Sequence, residues 1–207
     1  MQLVKTVQKG PNSMKRILCF MLSLIVLLGF ATFPTSNVMG ALAETFQETE
    51  RSAMDVKEIF AITDPSQFSG KITEYLYEKT SYGEDLSPLN EWELTVYLVE
   101  ELQSEVMNGG FDQYFINSSG DHWEDAIIAC ETIGAIQTGE LLQKAVQAYG
   151  CELPKDREER EEAIESNAKD GYDEKLTALD SKFYAYEENV DALIFDYCQQ
   201  NKKMFFN

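Results

Sequence analysis

The residues that could do chemistry are few, and their spacing excludes more than it offers. His122 is the only histidine in the 207-residue chain. A zinc centre draws on three or four nitrogen and sulfur ligands, so one histidine in a chain without a C-x-x-C pair makes no zinc site. A serine nucleophile needs a base, and His122 is the sole candidate, with no G-x-S-x-G elbow beside it. Asn108-Gly109-Gly110 fits neither the Walker nor the dinucleotide glycine spacing. No twelve-residue calcium loop is present either. Carboxylate pairs such as Glu100/Glu101 and Glu158/Glu159 abound, so no single pair points to acid–base catalysis. One constellation has a shape. Glu105 lies a turn before the glycine pair, with Asn108, Gln113, Tyr114 and Asn117 close behind it in sequence. These residues read either as a small-ligand or catalytic pocket or as a capping network that fixes a turn. No catalytic residue, metal or cofactor is assigned, and the expectation is a non-enzyme.

The elements that must position these groups are helical almost throughout. In 44–60 the apolar positions are Phe46, Met54, Ile59 and Phe60, and Asp64-Pro65 breaks the pattern. Ile72, Tyr75, Leu76 and Lys79 predict an amphipathic turn or two before Gly83. Ser87-Pro88 has the form of a helix start, an N-cap serine followed by proline at the first helical position. From there Trp92, Val96, Val99, Leu102 and Val106 form one apolar row and Leu94, Leu98 and Leu102 another, which predicts a central, largely buried helix. It should stop at Asn108-Gly109-Gly110. Phe111, Tyr114 and Phe115 then share one face, and Asn117-Ser118-Ser119-Gly120 is a turn. Further helices are expected over 121–133, around Leu141 to Tyr149, over the charged stretch 155–165, and over 175–186 and 190–201. Gly134 and Gly150 act as stops. In the charged stretch, Asp156/Arg160 and Arg157/Glu161 read as i,i+4 pairs on a solvated helix. No alternating strand pattern, repeat or internal linker appears. The expected fold is all-α, a single compact multi-helix domain.

Charge is unevenly distributed. The whole chain carries −19, but residues 1–43 hold four basic residues and no acid, so the remaining 13 basic and 36 acidic residues amount to −23. Such a surface repels nucleic acid and anionic lipid and attracts a basic protein. Lys15 and Arg16 precede the apolar run from Ile17 to Phe33, and Ala41-Leu42-Ala43 follows it. These are the three parts of a secretory signal peptide, with the cut after Ala43. If the run is left uncleaved it is long enough to anchor the chain in a membrane, with the domain facing out. The expected localisation is therefore exported, periplasmic or extracellular. Residues 44–207 contain Cys130, Cys151 and Cys198, an odd number that allows at most one internal bridge. Cys130 and Cys198 read as small buried apolar residues.

The run from Glu105 to Gly120, EVMNGGFDQYFINSSG, resembles the signature of the DNA-mimic-protein family, a helical domain family of bacteria. Ile133-Gly134-Ala135, Pro154 before a charged helix, Leu179-Asp180 with Phe183-Tyr184, Tyr197 and Phe205-Phe206 agree with it. The resemblance covers roughly Leu86 to Phe206. It divides the chain into a signal peptide (1–43), an N-terminal helical extension (44–85) and a DNA-mimic-protein-like domain (86–207). The family's namesake is an acidic helical protein whose carboxylates imitate DNA phosphates and occupy a transcription regulator. The resemblance implies a protein-binding module with no direct nucleic acid binding. The carriers of an acidic recognition face are Asp156, Glu158, Glu159, Glu161, Glu162, Glu165, Asp170, Asp173 and Glu174. Export separates this chain from a cytoplasmic regulator and points to a basic partner outside the cytoplasm, in an inhibitor or immunity role. A structural, envelope-associated protein is the third reading.

Overall fold

Short polar side chains begin the helices and left-handed glycines end two of them. The computed structural model describes residues 55–185 and 187–206, all within a unit spanning Ser52–Asn207. The proposed signal peptide lies outside the described residues. Eight helices follow in order: α1 (Val56–Ile59), α2 (Pro65–Lys79), α3 (Glu91–Ile116), α4 (Trp123–Ile133), α5 (Ile136–Tyr149), α6 (Arg157–Asn167), α7 (Tyr172–Tyr184) and α8 (Val190–Gln200). Short 3-10 segments, Ser118–His122 and Lys202–Phe205, precede α4 and follow α8. Side chains of Asp55, Asp64, Asn90, Asp156 and Asn189 accept from backbone N–H groups in the first turns of α1, α2, α3, α6 and α8. Each satisfies a donor that the helix leaves orphaned. Gly134 and Gly150 adopt left-handed backbone at the ends of α4 and α5. Among the described residues there is no strand, and no helix is long and apolar enough to cross a membrane.

The helix that the two apolar rows predict forms, but its start differs, and at the expected stop, Gly109-Gly110, it kinks and then resumes to Ile116. Ser87 and Pro88 lie in a turn, and Asn90 is the cap. The Asn90 carboxamide oxygen accepts from Trp92 and Glu93 N–H, while the Glu93 carboxylate accepts from Asn90 N–H at 3.0 Å. That reciprocal box binds two orphan donors, which a serine followed by proline three residues earlier does not match. Glu93 also receives both contacts of Lys79, at 2.6 and 2.7 Å, and so ties the end of α2 to the start of α3. The segment expected to give a turn or two before Gly83 is instead the fifteen-residue α2. Asp64-Pro65, read as a break, is its cap and first residue.

Helix α3 is the axis. It contacts α2, α4, α6, α7 and both 3-10 segments, while α8 packs on α2 and α4, and α5 on α4 and α7. Val96, Val99, Leu102, Val106, Phe111 and Phe115 are fully buried along it. Burying one such side chain contributes roughly 1.5–3 kcal/mol. The first helices belong to the same core. Phe60 meets Phe68, Phe205 and Phe206 with ring centroids 5.2–5.4 Å apart, and Phe68 meets Phe195 edge-on at 5.2 Å. The two ends of the described chain therefore close on each other through aromatic contacts. Cys130 and Cys198 are buried and free, and Cys151 is free and half-buried. Burial pushes the Cys130 thiol up to about 12.

Glu100 lies on the face of α3 turned to α2, 9% exposed, and accepts a hydrogen bond from the Ser69 hydroxyl. Burial raises its pKa to about 7, against the opposing effect of the Ser69 and Thr73 hydrogen bonds. A carboxyl whose folded pKa exceeds its unfolded value binds more protons in the native state. Its favourable contribution is complete below the unfolded value near 4.5 and is lost as pH rises through about 7. Urea unfolding between pH 4 and pH 8 should show this decline. Glu100→Gln should flatten it and raise stability at pH 8 by about 1–3 kcal/mol.

Candidate functional site

The signature region is organised by a kink. At Gly109 (φ −154°, ψ 22°) and Gly110 (φ 77°, ψ 179°) the backbone of α3 leaves helical geometry, then resumes it at Phe111. Gly110 occupies a conformation that side-chain-bearing residues rarely adopt. A Cβ there would also lie 2.6 Å from a carboxylate oxygen of Asp180, which reaches in from α7. That carboxylate accepts the Phe111 N–H at 2.8 Å, so it caps the second half of α3 where the kink frees a donor. Asp112, one residue on, accepts the Tyr149 hydroxyl at 3.1 Å, and the Tyr149 ring stacks on Tyr172 with centroids 5.0 Å apart.

Three of the five candidate pocket residues come together across this kink. One carboxylate oxygen of Glu105 accepts from Gln113 Nε2 and from Asn117 Nδ2, each at 2.8 Å. The Gln113 side chain lies over Gly109, where an added Cβ would sit 2.1 Å from its Oε1. The arrangement is a staple joining the last turn before the kink to the helix after it. Asn108 is exposed, and Tyr114 points elsewhere, into the core with 1% exposure.

Asn117 links the staple to a second network. Its carbonyl accepts from Arg160 Nη2 at 3.0 Å. The Arg160 guanidinium is completely buried, and each of its five N–H donors has an acceptor. Nε donates to Phe115 O (2.7 Å), Nη1 to Pro154 O (3.2 Å) and Lys155 O (2.5 Å), and Nη2 also to Asp121 (2.8 Å). Gly120 makes room for it, since a Cβ there would fall 2.9 Å from Nη2. This corrects the pairing of Asp156 with Arg160 on a solvated helix. Asp156 caps α6 through Glu159 N–H, and Arg160 turns inward with Ile164 one turn on. The Arg157–Glu161 pair does form, at 3.1 Å. Asp180 and Arg160 are the residues that sequence reasoning missed. The available signal was their register on α7 and α6, where Arg160 shares the inward row with Ile164.

The acidic candidates sit on α6, at its cap and around the start of α7. Asp156, Glu158, Glu159, Glu162, Glu165, Asp170, Asp173 and Glu174 are exposed, and Glu161 is partly covered. Glu158, Glu162 and Glu165 follow a spacing of four and three, so their Cβ atoms stand about 5–6 Å apart along one stripe. Among the described residues no group of three or more His, Cys, Asp and Glu could hold a metal ion.

A family model described as DMP19-like protein matches residues 87–201. No curated protein and no solved structure shows significant similarity to the chain. The matched span contains the kink, the staple and the buried guanidinium, so the signature corresponds to the groups that shape the backbone.

Two substitution pairs test this assignment of structural roles. Gly110→Ala meets both an unfavourable φ and the Asp180 carboxylate, and should cost about 2–4 kcal/mol in urea unfolding. Gly70→Ala has open space around its Cβ within α2 and should be neutral or stabilise by about 0.5–1 kcal/mol. Arg160→Met strands five acceptors and should cost about 3–5 kcal/mol, whereas Glu158→Gln on the same helix should stay within about 0.5 kcal/mol.

Proposed function

The chain belongs to the DMP19-like protein family, the family of DNA-mimic proteins, and on that premise we propose that it is a non-enzymatic acidic module that binds a basic protein after export. The observation that carries the reading is the exposed acid on α6 and the start of α7. Eight of nine candidate carboxylates there face solvent, and of the nine only Glu161 is in an ion pair among the described residues. The chemistry of that face is a set of fixed, hydrated negative charges on a rigid helix, which presents a cationic protein with a substitute for a polyanion. The stripe is sparser than DNA, which carries one charge per roughly 1.7 Å of axis. Recognition therefore draws on Asp170, Asp173 and Glu174 beside the α6 stripe.

Export supplies the compartment. The Lys15-Arg16 flank, the apolar run to Phe33 and the Ala41-Leu42-Ala43 site direct the domain to the periplasm or the exterior. A partner there is a secreted or periplasmic basic protein, which suits an inhibitor or immunity role. The Glu105 carboxylate, held by Gln113 and Asn117, is committed to the kink, which weighs against a catalytic role for it.

Affinity capture with the purified protein at 20 mM and 150 mM salt tests the reading. A basic protein retained at both concentrations is expected, with affinity falling steeply as salt rises. Replacing Glu158, Glu162 and Glu165 together by Gln should weaken retention by roughly tenfold or more and leave stability unchanged. Retention that is indifferent to these three changes would remove the α6 face from the interaction.

A further inference from the structure

Helices α5 and α7 pack on each other, and a cleft of about 700 Å³ opens between the first half of α5 and the second half of α7. Beyond it the helices are joined where Tyr149 stacks on Tyr172 and the Tyr149 carbonyl accepts Lys169 N–H at 2.8 Å. At the near end the Glu188 carboxylate, from the segment after α7, accepts the N–H groups of Gln137 (3.1 Å) and Thr138 (2.9 Å) and the Thr138 hydroxyl (2.8 Å). Glu188 thereby caps α5 and forms one wall of the cleft. Between these two joins, Ala178 and Ser181 on α7 offer only short side chains, and the space stays open. Its volume falls within the roughly 300–1,000 Å³ of small-molecule sites.

The walls carry a mixed chemistry. Phe183 and Val190, both buried, and the half-buried Leu141 are apolar. Gln103 reaches the cleft from α3 and is only 8% exposed. Its carboxamide makes no hydrogen bond among the described residues, and no fully buried side-chain nitrogen or oxygen there lacks a partner. The amide therefore keeps its accessible atoms on the cleft that it lines, with a donor and an acceptor to offer. Of the charged walls, Glu140 is paired with Lys144 at 2.9 Å, and Glu188 is spent on the α5 cap. That leaves one charge of each sign. Lys182 and Glu187 are exposed, line the cleft, and have no ion pair among the described residues.

Each simple class of ligand meets an objection here. An anion is opposed by the wall carboxylates and by a chain of net −19. A cation meets Lys144 and Lys182. A wholly apolar body covers the Gln103 carboxamide without giving it a partner. A short peptide meets none of these. We propose that the cleft binds a free oligopeptide of a few residues. Its backbone amide bonds Gln103, its apolar side chain lies on Phe183 and Leu141, its carboxylate faces Lys182 and its ammonium faces Glu187. The α6 carboxylates lie outside these walls, so the inference stands apart from the basic-protein reading.

The test is amide NMR of the full chain titrated with the zwitterionic tripeptide alanyl-leucyl-alanine, and with the same tripeptide N-acetylated, C-amidated, or both. The free peptide should shift the amides of Thr138, Ser181 and Val190 and saturate them. Each single cap should weaken binding severalfold, as should Lys182→Gln and Glu187→Gln, since both charges are exposed. Gln103→Leu should weaken it by roughly tenfold. Ser181→Trp fills the cleft from an exposed site. It should abolish the response with the circular dichroism spectrum unchanged, which keeps the test intact if Gln103→Leu disturbs α3. No saturable shift with millimolar free peptide overturns the proposal. So does a doubly capped peptide that binds as tightly as the free one, or a response that survives Ser181→Trp. Loss of basic-protein capture on replacing the α6 acids, with the peptide response intact, separates the two sites and supports both.

Discussion

A guanidinium withdrawn from water must find an acceptor for every N–H it carries, and Arg160 meets that demand only where five groups from separate parts of the chain converge. Phe115 and Asn117 come from the end of α3, Asp121 from the 3-10 segment, and Pro154 and Lys155 from the approach to α6. The position of each is thereby fixed relative to the others. Asn117 carries the constraint to Glu105, and Glu105 carries it across the kink to Gln113. Asp180 meets the kink from α7. The bend in α3 follows from these contacts and from the two glycines that tolerate it.

The same network separates shape from recognition. Within the signature the kink glycines, the amides of Gln113 and Asn117 and the Glu105 carboxylate are committed to the backbone or to one another. The exposed carboxylates of α6 take little part in them, apart from the Asp156 cap and the Arg157–Glu161 pair. Family membership thus accounts for the groups that shape the backbone, while the surface acids that the proposed binding would use lie outside the Glu105–Gly120 signature.

Much of the helical order was legible in the sequence because it follows from local rules. The rows Val96, Val99, Leu102, Val106 and Phe111, Tyr114, Phe115 repeat at helical spacing, and Gly134 and Gly150 mark real stops. The cap at Asn90 was missed because Ser87-Pro88 offers a cap and first residue by type, and only the reciprocal bonds of Asn90 and Glu93 decide between them. Arg160 was misread for a different reason. An arginine four residues after an aspartate predicts a surface pair by spacing, and its true partners lie as far as 45 residues away in sequence. The Glu105 staple is intermediate. Its members were visible as a group, but Asn108 is exposed and Tyr114 turns into the core, so both separate from it.

The cysteines bear on where such a domain can work. Cys130 and Cys198 are sealed among helices as thiols, and burial holds both far above the ordinary ionisation range. A thiol that neither ionises nor reaches solvent takes no part in exchange. Among the described residues the folded domain therefore holds no disulfide. The core around Cys130 and Cys198 is held by apolar packing and not by a bridge, so a reductant acting on the folded domain has no bond there to break.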